Sequence, residues 1–377
     1  MTSKNKYVKK DSSIIEESLN SPIARNYTTT PENVNTNIDK SKSDNTDKAQ
    51  DEKLPAVRNI RPNNFISPLD RFSGILFGCN EKVNTQKIMK KLLAGDAEIK
   101  MDAKGKLTIL VSMRFEDLPK NLQSKLNDRF IRAVCDTITS LKLAGNEYIS
   151  PKLIACAMTG YSLKNSNPTD EFINQIIEAV EILRHTWVKI DASNEAKARG
   201  YNFKEVEFDG MLAPMNALKL VLMNGNKILA YHVLSEPILY SYAKQKNQVL
   251  SVDKDILKFP ENENEDTKRR ATLITMTREN IILQRYLIER IEIMKNSNND
   301  QDGRIISYQT IYKIMNAQNS SKIEKKRIRD RVKIFLNDWK NKKYIMKYRE
   351  EKEKGIIKNI LIELYEDHEE NESENKA

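Results

Sequence analysis

Apolar residues recur at helical spacing in several long stretches of this chain. Leu122, Leu126, Phe130, Val134, Ile138 and Leu141 predict an amphipathic helix over 119–143. Phe172, Ile173, Ile176, Ile177, Val180 and Leu183 predict another, opened by Asn167-Pro168. Ile281, Ile282, Tyr286, Leu287, Ile291 and Met294 mark a third. Ile328, Val332, Phe335, Leu336 and Trp339 form the stripe of a fourth, over 322–341. Strand-like runs lie between them. Residues 98–101 and 107–113 read as a hairpin, and 218–223 and 226–234 flank Asn224-Gly225, a dipeptide that tolerates the positive φ angles of a tight hairpin. Residues 187–190 predict a strand, and 344–348 and 356–364 predict two strands joined by 349–355. The interleaving predicts an α+β, mainly helical fold.

A short skeleton occurs twice, 157 positions apart. Ile149-Ser150 recurs as Ile306-Ser307, Ile154 as Ile311, Met158 as Met315, and Trp187-Val188 as Tyr344-Ile345. In each copy a serine precedes a short helix, where its side chain can accept from an otherwise unpaired backbone N–H. Pro151 in the first helical position and Gly160 after the last add start and stop signals to the first copy. Each copy continues with a longer helix and then an aromatic residue that opens a strand. That order predicts two winged helix-turn-helix domains with β-hairpin wings, a scaffold that points to DNA rather than to catalysis.

Charge separates the two copies. Between Lys322 and Lys333 there are seven Lys or Arg against Glu324 and Asp330, a net charge of +5. Lys322, Lys326, Arg329 and Lys333 repeat at helical spacing on a flank other than the apolar stripe, with Lys325 beside them. Long cationic side chains there can reach phosphates, and Arg can also grip guanine. Arg349, Lys352 and Lys354 place further cations in the expected wing, diluted by Glu350, Glu351 and Glu353. The DNA-binding set expected from sequence is therefore Lys322, Lys325, Lys326, Arg329, Lys333, Arg349, Lys352 and Lys354. The matching helix of the first copy carries Asp170, Glu171, Glu178 and Glu181 against Arg184, a net charge of −3. Phosphates would repel it, so protein–protein contact, including dimerisation, is the expectation for that copy.

The whole chain of 377 residues carries a formal charge of +10, which agrees with a polyanionic partner. Residues 1–63 are polar with few aromatics and predict a disordered tail. A first winged-helix domain with extra hairpins is expected over 64–257, a linker over 258–272, the second domain over 273–365, and an acidic disordered tail over 366–377. Cys79, Cys135 and Cys156 have no metal-ligand or disulfide spacing, and His185, His232 and His368 are isolated from one another. No Gly-rich phosphate loop occurs, and no run of 18 apolar residues. The expectation is a cytoplasmic protein that is not an enzyme, needs no cofactor and does not enter a membrane.

Residues 235–243 (SEPILYSYA), 285–291 (RYLIERI) and 306–312 (ISYQTIY), completed by 335–348, form a set of apolar and aromatic motifs. In that order they resemble the plasmid and mobile-element replication initiators built from two winged-helix domains. The resemblance covers roughly 120–364. It implies a sequence-specific protein that binds origin repeats on double-stranded DNA without catalysis, melts or bends adjacent AT-rich DNA, and recruits the host helicase machinery. It also implies that the second unit makes the main major-groove contacts while the first handles dimerisation or a second contact. A transcriptional repressor of the same fold and a protein-binding helicase-loader adaptor are the alternatives. The acidic helix of the first copy and the long N-terminal tail depart from the family pattern.

Overall fold

Helices and antiparallel strands are interspersed along the described chain, an α+β arrangement. The computed structural model describes residues 60–77, 90–94, 96–102, 106–161, 167–198, 200, 202–221, 227–260, 275–296 and 304–365. The expected tail up to residue 59, the linker from 261, the 103–105, 222–226 and 297–303 turns, the acidic tail from 366, Cys79 and His368 lie outside them.

The elements run β1 (Asn64–Pro68), α1 (Arg71–Leu76), β2 (Asp96–Asp102), β3 (Lys106–Phe115), α2 (Lys120–Gln123), α3 (Arg129–Leu143), β4 (Tyr148–Ile149), α4 (Pro151–Thr159) and α5 (Asp170–Arg184). Next come β5 (Thr186–Asp191), α6 (Ser193–Ala198), β6 (Glu207–Met211), β7 (Met215–Val221), β8 (Lys227–Val233), α7 (Ile238–Gln245), β9 (Val249–Asp253) and α8 (Lys254–Leu257). The chain closes with α9 (Arg278–Lys295), β10 (Ile305–Ser307), α10 (Tyr308–Ile314), α11 (Lys322–Asn341), β11 (Lys347–Glu353) and β12 (Ile356–Glu363).

The apolar stripes are where the spacing puts them. Ile328, Val332, Phe335, Leu336 and Trp339 of α11 are all buried, as are Ile281, Tyr286, Leu287, Ile291 and Met294 of α9. The helix expected over 119–143 is instead two pieces. Asp128 accepts the Phe130 backbone N–H and so caps α3, while Leu126 fills the break at 0% exposure. A capping Asp outcompetes a continuous helix because its side chain satisfies an orphan donor.

The repeated skeleton occupies matching places. Ile149 and Ile306, Ile154 and Ile311, and Val188 and Ile345 are all buried. Ser150 accepts from Leu153 N–H at 3.1 Å and Ser307 from Gln309 N–H at 3.2 Å. Gly160 closes α4 at φ +67°, and Asn316 at φ +53° follows α10 in the same left-handed role. Pairing then separates the copies. In the later one the sheet order is β10-β12-β11, so the opening strand joins the hairpin. In the earlier one β4 pairs with β8 of another sheet, and β5 lies between β3 and β6 in a four-stranded sheet.

One pairing had no local signal: β1 runs antiparallel to β9, from Asn64↔Asp253 to Pro68↔Val249. The buried apolar cluster is continuous from Phe65 to Leu364. Polar contacts also tie the earlier elements to the last helices across it. Trp339 Nε1 donates to Ile256 O at 3.0 Å, Gln284 Nε2 to Leu257 O at 2.8 Å, and Glu289 of α9 meets Arg132 of α3 at 3.4 Å.

Candidate nucleic-acid interface

The basic sequence lies on the first half of α11. Ser321 caps that helix by accepting from Glu324 N–H at 3.2 Å, and Glu324 sits at the positive end of the helix dipole. Burial of the stripe from Ile328 to Trp339 against the core fixes the rotation of the helix, so the opposite side faces solvent.

The expected cations divide by role. Lys322 and Lys326 are exposed, with no ion pair among the described residues. Lys325 is half-buried, with Nζ donating to Gln318 O at 2.6 Å and lying 5.6 Å from the Tyr312 ring centroid. Arg329 is half-buried and donates from Nη1 to Tyr312 Oη at 2.9 Å, while Lys333 pairs with Glu350 at 2.9 Å. Arg329 uses one of its five donors there and keeps the rest of its fork. The Lys333 pair is partly solvated, so exchanging Glu350 for another anion costs little.

Tyr344 does not open a strand. Lys343, at φ +57°, ends α11, and Tyr344 N–H returns to Trp339 O at 2.9 Å; β11 therefore begins at Lys347. The expected connection over 349–355 is likewise mostly strand. Only Lys354 and Gly355 form the turn, at φ +51° and +79°, the left-handed pair that matches hairpin twist. Arg349 and Lys352 thus ride on β11, and Lys354 alone is at the tip; all three are exposed with no ion pair among the described residues. The register slips between Glu351 and Lys352, which bends the last residues of the strand.

Sequence reasoning missed two features. The first is Arg327, exposed on the same turns of α11. It was legible: Arg327 stands one helical step from Lys326 and away from the apolar stripe. The second is Glu350, whose Oε1 accepts from Tyr308 Oη at 2.7 Å while Oε2 meets Lys333. It therefore links α10, α11 and β11. Burial pushes the Tyr308 phenol well above its ordinary range, and the carboxylate beside it adds to that. The period-two alternation of Tyr348, Glu350 and their partners Ile362 and Ile360 is the signal that Glu350 faces inward.

No family model matches the chain, and no curated protein does. Among solved structures, RctB domains 2-3 align over 72% of this chain and 92% of theirs, at 11% identity and a TM-score of 0.35. A selenomethionine crystal form of domains 2 and 3 of RctB gives 71%, 91%, 11% and 0.33 in the same measures. A likeness at that level fixes neither a shared fold nor a shared activity.

The corresponding helix of the earlier copy, α5, offers no cationic flank. Glu178 is paired with Lys125 at 2.8 Å and Glu181 with Arg184 at 2.8 Å, while Asp170 and Glu171 are exposed in its first turn. In the following strand Lys189 is engaged by Glu207 at 3.0 Å. His185 Nδ1 lies 2.7 Å from Glu116 O and His232 stacks on Tyr148 at 4.7 Å, both local packing roles. Among the described residues no group of three His, Cys, Asp or Glu could hold a metal ion, and no helix is long and apolar enough to cross a membrane.

Proposed function

We propose that residues 305–363 form a winged helix-turn-helix that binds double-stranded DNA, and that the chain is a non-catalytic initiator of plasmid or mobile-element replication. One observation carries the DNA-binding reading. The exposed cations Lys322, Lys326 and Arg327 on the opening turns of a core-anchored helix stand with exposed Arg349, Lys352 and Lys354 on the hairpin that follows. In that scaffold the second helix enters the major groove with its N-terminal residues toward base edges. Lys322, Lys326 and the hairpin cations then hold phosphates, Lys325 and Lys333 flank them, and Arg329 presents its remaining donors to a base or phosphate.

Initiation is the role that suits two unlike units in one chain. The basic unit reads repeats at an origin, and the acidic helix of the earlier unit, which phosphate would repel, is left for a second copy or for the host replication machinery. The test begins with selection of duplexes from a random pool by the full chain. Selected sites are then used in an origin-dependent plasmid maintenance assay. Recovery of a preferred site, and loss of maintenance when the coding region is deleted, are expected. Failure to enrich any duplex would end the DNA-binding reading. Intact maintenance with derepression of a promoter bearing the site would make the protein a repressor instead.

A further inference from the structure

Ile323 is 68% exposed, and it sits in the first turn of α11 among Lys322, Lys326 and Arg327. Single exposed aliphatics are common on protein surfaces and need no explanation alone. Ile323 is nevertheless the most exposed large aliphatic among the described residues. Three aliphatics are at least 65% exposed among the described residues: Val221, Ile323 and Ile356. Two of these lie on the helix and the hairpin that carry the unpaired cations.

The position of Ile323 is also specific. Ile323, Lys326 and Arg327 are related by i, i+3 and i+4 and so share one face, turned away from the buried stripe of Ile328, Val332 and Phe335. A branched apolar residue brings no helix-forming advantage over Lys or Ala at an exposed site. A protein surface is a poor match for it, because lysines ringing an apolar contact resist desolvation and are depleted in protein interfaces. A nucleic-acid groove is a good one: the cations stay on phosphates while the apolar tip meets the only apolar group that base edges present in the major groove, the thymine C5 methyl.

We propose that Ile323 is a specificity-determining residue that reads a thymine methyl in the major groove. This rests on the DNA-binding reading of α11. Lys322, Lys326 and Arg327 supply affinity that is indifferent to sequence, and Ile323 supplies preference at one base pair.

The test uses the full chain and a duplex recovered by random selection, with each thymine changed in turn to deoxyuridine, which lacks only the methyl. One such change is expected to weaken wild-type binding about fourfold, the equivalent of about 0.8 kcal/mol for one buried methyl-sized group. Ile323→Ala is expected to bind the thymine duplex weakly by a similar factor and to be indifferent to that same change, while Ile323→Val retains the discrimination. The proposal is overturned if wild type is insensitive to deoxyuridine at every thymine, or if Ile323→Ala keeps the full sensitivity. Absence of any saturable duplex binding by wild type would overturn the underlying DNA reading as well, and is distinguished from the former result by that measurement alone.

Discussion

Removing Glu350 should loosen the candidate interface and, in one variant, tighten its hold on phosphate. Its carboxylate accepts from the buried Tyr308 phenol at 2.7 Å and meets Lys333 at 2.9 Å, with the Glu350 side chain 14% exposed. A hydrogen bond to a charged group is worth roughly 1.5–3 kcal/mol. The ion pair is discounted to about 0.5 kcal/mol, because the Lys333 side chain is 38% exposed and water screens it. Glu350→Ala should therefore cost about 2–3 kcal/mol of folding stability. Glu350→Gln, which still accepts from Tyr308, should cost about 1 kcal/mol. Combined with Tyr308→Phe in a urea-denaturation cycle, Glu350→Gln should give a coupling of about 1 kcal/mol, well outside the roughly 0.3–0.5 kcal/mol expected of independent sites. Glu350→Gln should also bind duplex DNA more tightly at low salt, since Lys333 is released and a negative charge is gone. Additive stabilities together with unchanged DNA affinity would refute the assignment of Glu350 as the link between α10, α11 and the hairpin.

Other consequences are separable from this one. Gly160→Ala should destabilise by at least about 1 kcal/mol, because φ is +67° and the added methyl would lie 2.9 Å from Lys258 N; an unchanged melting temperature would contradict it. Trp339→Phe deletes the donor to Ile256 O at the seam between the α8 segment and α11 and should cost about 1–2 kcal/mol by urea denaturation. Asp136 provides a pH test. Burial pushes its pKa up to about 6 from 3.8, against the opposing pull of Arg132, Ser67 and Arg285. Its contribution to stability is thus present in full below about pH 4 and is lost as pH rises through about 6. Asp136→Asn should abolish that slope, so its stability relative to wild type should rise by on the order of 2–3 kcal/mol between pH 4 and 7; parallel profiles would count against the buried carboxylate.

The parts legible in the sequence are those governed by local rules. The stripe from Ile328 to Trp339 fixed the buried side of α11 in advance, and Ser150 and Ser307 announced two helix starts that the structure places under matching caps. The pairing of β1 with β9 was hidden because it joins residues nearly 190 positions apart with no turn between them to read. The strand pattern around 344–355 was misplaced because Lys343 and Lys354 both take left-handed conformations, which Lys does not advertise as Gly or Asn would. The candidate site was legible as a charge pattern only. Which cations are exposed and which are occupied by Tyr312, the Gln318 carbonyl or Glu350 depends on groups brought in from α10, the loop before α11 and β11, and spacing along α11 does not contain that information.

The central claim is that the open cations on α11 meet phosphates, and the salt dependence of duplex binding tests it most directly. Full-length protein and the Lys322→Ala, Lys326→Ala double variant would be titrated with one selected duplex over a range of salt concentrations. Both side chains are exposed and unpaired among the described residues, so the double variant should melt at the wild-type temperature. The log–log slope should fall in magnitude by about 0.9 for each lost phosphate contact, close to two in all, with weaker binding to every sequence. A folded double variant with wild-type affinity and an unchanged slope would contradict the claim.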